Sequence, residues 1–371
     1  MKKSYIAALM LTAAVNSGCT AEAQQNYTVN AAMSPDMNDH IAYIIDWDSS
    51  EPIDSAIVSG GKVHFAGHVD GAKMGRLIVA GKRGPIFVLE PGSITIDENN
   101  NSHGTPQNDR LTAVADSMNA LVERINSLDG NNPEDVEKYK VMVGQYEQYP
   151  LEAYKANKGS MVGLYWFLQS AYEMNLDQLD AALREDGNLR NSARVKSLRN
   201  ALLAKENTMP GKHYKDFEII YDGKKQKLST YVDGDHYTLV DFWASWCGPC
   251  MRQTPVIRGL YDKYKDKGLE VVGVAVWDEP ENTLKAIRNH DIPWPCIINA
   301  QTIPTDLYGI SGIPCIILIA PDGTIVSRDK QGDELVADVD KAMTAYLQEK
   351  AALAARAAQA EVNSLEADGD E

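Results

Sequence analysis

Residues 238–255 read TLVDFWASWCGPCMRQTP and contain two cysteines separated by two residues. The apolar, β-branched run before Cys247 predicts a strand that leads into a turn. A helix is expected to follow, with Cys247 at its mouth. Unpaired backbone N–H groups and the helix dipole stabilise a thiolate at such a position. The motif therefore predicts Cys247 as the attacking sulfur and Cys250, one helical turn later, as the resolving thiol.

The same cysteine spacing also occurs in zinc sites, which need a second pair of ligands at similar spacing. Cys296 and Cys315 have no Cys or His companion at that spacing, and His290 lies six residues before Cys296. A preceding strand, a following helix and a Gly-Ile-Pro segment before a later strand all favour redox chemistry. We predict no metal ion and no cofactor.

The region around the motif alternates strands and helices, as an α/β domain does. Strands are predicted at 239–243, 269–276, 315–320 and 324–327, and helices are predicted to begin near residues 250, 281, 305 and 333. This domain is predicted to span residues 210–350. Residues 351–371 form an Ala-rich, acidic tail that is expected to continue a helix and then fray.

Residues 24–100 alternate short apolar runs with Gly, Asn and Asp turns, for example at 40–45, 62–65, 76–79 and 93–96. This regular spacing predicts an antiparallel sandwich or barrel. Residues 99–107 are polar and rich in turn formers, which predicts a linker or long loop. From 107 to 208 apolar residues recur at helical spacing, and we expect four or five helices there.

The N-terminal residues 1–23 have the layout of a secretory signal peptide, with Lys2 and Lys3 before an apolar run. Cleavage after Ala23 and a lipoprotein box that ends at Cys19 are competing predictions. Both alternatives predict export to the periplasm or cell envelope, and a membrane contact is expected only through a lipid on Cys19. No later stretch has the apolar length of a membrane helix.

The bulk composition excludes some classes of function. The chain has 371 residues and a formal net charge of -16, and it has no basic stripe, so nucleic-acid binding is not expected. Its length predicts two or more domains. Beyond Cys19, four cysteines are too few to staple so long a chain, which again points to redox chemistry.

Residues 240–250 resemble the active-site signature of the thioredoxin superfamily, and Gly312-Ile313-Pro314 resembles its cis-proline loop. The length of the segment between them, about 263–309, resembles the TlpA/ResA-like branch of exported thiol-disulfide oxidoreductases. The β-rich region resembles the domain of unknown function that precedes such domains in Bacteroidetes proteins. The resemblance implies an α/β thioredoxin-like C-terminal domain, preceded by an antiparallel β-sandwich-like domain and a helical region.

The resemblance also implies roles for residues of the motif. A redox-active disulfide would join Cys247 to Cys250, and Asp241 would be a buried carboxyl that moves protons to and from Cys250. Three supporting positions are Trp246, which would flank the site, and the spacer residues Gly248 and Pro249, of which Pro249 would tune the potential.

Further roles lie outside the motif. Pro314 is expected to be cis and to hold its loop against the disulfide as an edge for the substrate main chain. Glu279, or Asp278, would be another acidic residue beside the cysteines. Cys315 departs from the family pattern, and like Cys296 it is either a buried small residue or an auxiliary thiol.

The predicted function is reduction of disulfides in cysteine-containing envelope proteins, with re-reduction by an upstream dithiol donor. A peroxiredoxin is an alternative, but that family has Thr and Pro three and seven residues before its cysteine, where this chain has Ala244 and Val240. A second alternative is a ligand-binding or redox-sensing envelope protein.

Overall fold

The computed structural model describes residues 26–232 and 234–367. The predicted signal peptide, Cys19 and the last four residues lie outside the described residues. The chain divides into two compact units, of which the first ends at Tyr172 and the second begins at Glu173.

The first unit contains two four-stranded sheets, with strand orders β4-β1-β7-β8 and β3-β2-β5-β6. Their strands are β1 (Tyr27–Ala32), β2 (Ile41–Asp46), β3 (Pro52–Ile57), β4 (Lys62–Gly67), β5 (Lys73–Val79), β6 (Lys82–Leu89), β7 (Gly92–Ile96) and β8 (Ser102–His103). All pairs are antiparallel except β1 and β7, which run parallel, a pairing that the sequence did not predict.

Both sheets of the first unit contribute alternate side chains to one apolar core, as in a sandwich. These residues include Val29, Ala42, Ile44, Val63, Phe65, Leu77, Phe87, Leu89 and Ile94. Three helices follow the sheets: α1 (Pro106–Asn126), α2 (Pro133–Ala156) and α3 (Met161–Ser170).

The prediction of a linker or long loop at residues 99–107 is wrong. This segment contains β8 and the start of α1. Pro106 is the first residue of α1, where its missing N–H costs nothing and its fixed φ favours the helix. The polar, turn-rich composition of the segment does not reveal this helix start.

The second unit begins with α4 (Leu176–Glu185), α5 (Gly187–Asn191) and α6 (Ala193–Glu206). Six helices therefore lie between residues 106 and 206 of the described chain, where four or five were expected. The number of helices is larger than expected because two capping side chains divide the segment. Asp186 accepts a hydrogen bond from the Asn188 N–H, and Ser192 accepts one from the Val195 N–H, so each starts a new helix.

A five-stranded sheet of order β13-β12-β11-β14-β15 forms the centre of the second unit. Its strands are β11 (Tyr237–Trp243), β12 (Leu269–Ala275), β13 (Cys296–Ile297), β14 (Cys315–Ile319) and β15 (Ile325–Arg328), and a separate hairpin consists of β9 (Glu218–Tyr221) and β10 (Lys224–Lys227). Strand β11 runs parallel to β12 and antiparallel to β14. It is buried on both faces, as its continuous apolar run predicts.

Four helices complete the second unit: α7 (Gly248–Tyr264), α8 (Pro280–Asn289), α9 (Ile303–Tyr308) and α10 (Gly332–Ala367). On one face of the sheet, Leu239 packs with α7 and α10. On the other face, Val240 and Phe242 pack with Tyr308 of α9 and with the β9–β10 hairpin. None of the helices in the described part of the chain is both long and apolar enough to cross a membrane.

Candidate active site

A disulfide joins Cys247 to Cys250 where β11 leads into α7, with an S–S distance of 1.97 Å and a Cα–Cα distance of 5.2 Å. Cys247 is the N-cap residue of α7, and its Sγ accepts a hydrogen bond from the Cys250 backbone N–H at 3.1 Å. Gly248 and Pro249 form the first turn between the two sulfurs. The two cysteines are 3% and 1% exposed. The first sulfur thus lies among the unpaired N–H groups of a helix start.

Hydrogen bonds to the segment after β12 fix the loop before Cys247. The Asp278 carboxylate accepts from the backbone N–H and the hydroxyl of Ser245, at 2.8 and 2.9 Å. The Trp246 indole N–H donates to the Trp277 carbonyl oxygen at 2.9 Å, although the side chain is 61% exposed. Trp246 therefore has a fixed orientation while its ring stays open to solvent.

The loop before β14 meets the disulfide from the other side. The Ile313–Pro314 peptide bond is cis. The Cys247 Sγ lies 3.7 Å from the Ile313 carbonyl oxygen, and Ile313 packs against the apolar cluster that contains both cysteines. The structure therefore brings the predicted proline loop next to Cys247.

Asp241 lies on β11, six residues before Cys247, and is 4% exposed. Its Oδ1 has no hydrogen-bond partner among the described residues. Burial raises the pKa of Asp241 to about 7, because water no longer solvates the charged form. A carboxyl with that pKa can gain or lose a proton near neutral pH.

The two other cysteines lie on opposite faces of the sheet. Cys296 is partly buried and belongs to the same apolar cluster as Cys247 and Cys250. Cys315 packs on the face of Val240, and its thiol donates to Asp329 Oδ1 at 3.1 Å. Burial raises the pKa of Cys296 to about 12 and raises that of Cys315 as well. Both thiols are therefore protonated at neutral pH.

The two acidic candidates after β12 differ in their surroundings. Asp278 is buried and anchors the loop before Cys247, whereas Glu279 is exposed and is the N-cap residue of α8. The role of Glu279 beside the cysteines stays a prediction.

Sequence reasoning missed Asp329 as the partner of Cys315. It also missed Gly273, the β12 residue that is paired with Asp241 on one side and with Cys296 on the other. An isolated glycine in an apolar strand signals a close approach of another group, and this signal was present.

Comparisons with known proteins agree with this arrangement. The AhpC/TSA family model matches residues 210–328, and the model of a domain of unknown function (DUF4369) matches residues 27–111. The thiol-disulfide oxidoreductase ResA of Bacillus cereus is 31% identical over 126 residues, which are 33% of this chain and 71% of that protein. The chain belongs to the ResA-like thiol-disulfide oxidoreductases.

Two further examples match over a similar part of the chain. ResA of Bacillus subtilis is 28% identical over 130 residues, covering 34% of this chain and 71% of that protein. The thioredoxin domain of a thiol-disulfide oxidoreductase from Bacteroides vulgatus is 30% identical, covering 36% of this chain and 97% of that chain, with a TM-score of 0.33. The predicted family is confirmed, as is the β-rich domain of unknown function before the thioredoxin-like domain.

Proposed function

We propose that this oxidoreductase reduces disulfides of cell-envelope proteins, with Cys247 as the nucleophile and Cys250 as the resolving thiol. The supporting observation is the position of the Cys247 sulfur at the N-cap of α7, within hydrogen-bond distance of the Cys250 N–H. The same N–H and the helix dipole would stabilise a Cys247 thiolate in the reduced protein. Cys250 is the less exposed of the two residues, at 1% against 3%, and follows one turn later.

The proposed reaction has two exchange steps. The Cys247 thiolate attacks one sulfur of the client disulfide, the client S–S bond breaks, and the other client sulfur leaves as a thiolate that takes a proton. The Cys250 thiolate then attacks the Cys247 sulfur and displaces the second client thiol. Two electrons pass to the client, and the protein is left with the Cys247–Cys250 disulfide seen in the structure.

Asp241 is the proposed proton acceptor for Cys250 in the second step. It is buried on the strand that leads into the motif, and its pKa of about 7 allows it to accept a proton at neutral pH. Pro314 is proposed to hold the loop at which the client main chain binds, because its neighbour Ile313 contacts the Cys247 sulfur. Trp246, the residue before Cys247, presents an exposed ring.

Electrons must return to the disulfide from outside the protein. We propose an upstream dithiol donor, because an oxidising envelope cannot supply a reductant by itself. The export signal at residues 1–23 and the lipid on Cys19 remain predictions.

Trapping of a mixed disulfide tests the division of roles. Cys250→Ser should accumulate covalent complexes with clients, since a hydroxyl cannot displace the client thiol, whereas Cys247→Ser should trap almost none. Both full-length variants would be expressed with their own leader, quenched in acid and compared on non-reducing gels with mass spectrometry of shifted bands. Equal trapping by the two variants would contradict the assignment.

The remaining thiols need their own controls. Cys315 lies on the opposite face of the sheet, so Cys250→Ser/Cys315→Ala should trap as much as Cys250→Ser. Cys296 lies on the same face as the disulfide, and more trapping by Cys250→Ser/Cys296→Ala would show that it resolves the complex. Insulin reduction without peroxide consumption would separate a reductase from a peroxidase.

A further inference from the structure

Three residues form a row across the sheet beside the disulfide. In the strand register, Asp241 of β11 is paired with Gly273 of β12, and Gly273 is paired with Cys296 of β13. Residues paired in this way on neighbouring strands project their side chains on the same face. Because the middle residue has no side chain, Asp241 and Cys296 face each other across Gly273.

The space above Gly273 is filled by its neighbours. A Cβ atom on Gly273 would lie 2.7 Å from the Cys296 Sγ and 2.9 Å from the Trp243 Nε1. Trp243 is two residues after Asp241 on the same strand and therefore lies on the same face. The Cys296 sulfur and the Trp243 indole thus enclose the place next to Asp241 that a side chain of residue 273 would occupy.

Cys296 also lies towards the outside of this arrangement. Strand β13 is the edge strand of the five-stranded sheet and is two residues long. Cys296 is partly exposed, whereas Asp241 is buried. The thiol side chain is therefore placed between the edge of the sheet and the carboxyl.

We propose that Cys296 is a positioning residue of the disulfide exchange, whose sulfur covers the Asp241 carboxyl on the side that Gly273 leaves open and keeps water away from it. The inference rests on the proposed function insofar as Asp241 carries the proton. A thiol suits this task because it is a weak hydrogen-bond donor that behaves as a small apolar group. A hydroxyl at the same place would stabilise the carboxylate.

The electrostatics agree with this geometry. Burial is the cause that raises the pKa of Asp241 to about 7. Burial also raises the pKa of the Cys296 thiol, and the charge of Asp241 is the second cause. Asp241 and Cys296 therefore share one poorly solvated site.

No charged group in the described part of the chain contributes to the raised pKa of Asp241. Among the described residues, the thiols on the elements around it are Cys247 and Cys250 of α7, Cys296 of β13 and Cys315 of β14. The first two are joined in the disulfide. Cys315 lies on the opposite face, and the charge of Asp241 is only the last of the causes that raise the pKa of its thiol. Helix α8 contributes the apolar residues Ala286 and Ile287 to the cluster. Cys296 is therefore the side chain to change.

Titration of the carboxyl carbon tests the proposal directly. Full-length oxidised protein, in which Cys247 and Cys250 are joined and do not titrate, would be labelled with ¹³C at aspartate and titrated by NMR, with Asp241→Asn used to assign the Asp241 signal. In Cys296→Ser the midpoint should fall by about one pH unit or more, a tenfold change in the protonation equilibrium. Cys296→Val, which restores an apolar cover of similar size, should keep the wild-type midpoint.

The exchange rate provides a second readout with a separate meaning. The pH midpoint of client reduction should fall together with the Asp241 titration in Cys296→Ser and stay in place in Cys296→Val. An unchanged Asp241 titration in Cys296→Ser, with native near-UV circular dichroism, would overturn the role of Cys296. If Cys296→Ser does not fold, Cys296→Ala serves the same purpose, because it admits water beside the carboxyl. A shifted titration with an unshifted rate would support the cover and overturn Asp241 as the proton carrier.

Discussion

The Asp278 carboxylate holds Ser245 by both its backbone N–H and its hydroxyl, at 2.8 and 2.9 Å. The same carboxylate accepts from the Glu279 N–H at 2.9 Å and from the Thr283 hydroxyl at 2.7 Å. One buried side chain therefore links the loop two residues before Cys247 to the first turn of α8. Its charge is balanced by hydrogen bonds, as buried carboxylates require.

Replacing Asp278 should destabilise the protein more than replacing its partner. Asp278→Ala leaves buried donors without an acceptor and should lower the free energy of unfolding by about 3 kcal/mol. Ser245→Ala removes a single hydroxyl bond and should cost about 1 kcal/mol. Urea denaturation of both oxidised variants measures the difference. Equal losses would show that the carboxylate does not hold the loop.

The buried Asp241 predicts an unusual dependence of stability on pH. Its pKa is raised from 3.8 to about 7 in the folded protein, so the folded state binds the extra proton between these values. The stability contribution of the protonated acid is complete below about pH 4 and is lost as the pH rises through 7. The free energy of unfolding of Asp241→Asn should equal that of the wild type at pH 4 and should exceed it by at most about 4 kcal/mol above pH 7. Denaturation curves of the oxidised proteins from pH 4 to 8 measure this, and a constant difference would contradict it.

The thioredoxin-like domain was predictable because its signals are local. The apolar run of β11, the two cysteines and the proline before β14 all lie in short, contiguous segments. The row of Asp241, Gly273 and Cys296 was not predictable, since it depends on the register of three strands that are far apart in the chain. Sequence reasoning identified two of its members but gave no reason to connect them.

The helical region shows a second limit. Apolar spacing predicts helices well, but it does not show where one helix ends and the next begins. The side chains of Asp186 and Ser192 divide the segment after residue 175 by capping. The spacing of apolar residues does not show which polar side chains form such caps. The parallel pairing of β1 and β7 likewise joins strands from the two ends of the sandwich sequence.

The buried Arg328 should be a major contributor to the stability of the second unit. Its guanidinium donates to the Thr208 carbonyl oxygen at 3.2 Å, to the Thr208 hydroxyl, and to the Tyr308 carbonyl oxygen at 2.8 Å. Arg328→Met removes these donors from buried acceptors and should cost about 3 kcal/mol. Arg258 also donates to two carbonyl groups, those of His290 and Asp291, but near solvent. Arg258→Met should cost less than about 1 kcal/mol, and equal urea midpoints for the two variants would refute the argument.

Adding a single methyl group at Gly309 should strongly lower the free energy of unfolding. It ends α9 with a φ of 60°, and a Cβ atom there would lie 2.1 Å from the Ala201 carbonyl oxygen and 2.5 Å from the Lys205 backbone nitrogen. Both atoms belong to the backbone of α6 and cannot turn aside as a side chain could. Gly309→Ala should therefore separate α6 from α9 and cost about 3 kcal/mol or more, since overpacking adds to backbone strain.

Gly223→Ala isolates the part of this loss that comes from the backbone alone. Gly223 has a φ of 71°, and a Cβ atom there would meet no atom within 4 Å. That substitution should cost only the left-handed strain of about 1 kcal/mol. Urea denaturation gives the free energies, and hydrogen exchange of the α6 amides should accelerate in Gly309→Ala but not in Gly223→Ala. Similar losses in both variants, with α6 protected in each, would show that the close approach of α9 to α6 relaxes at little cost.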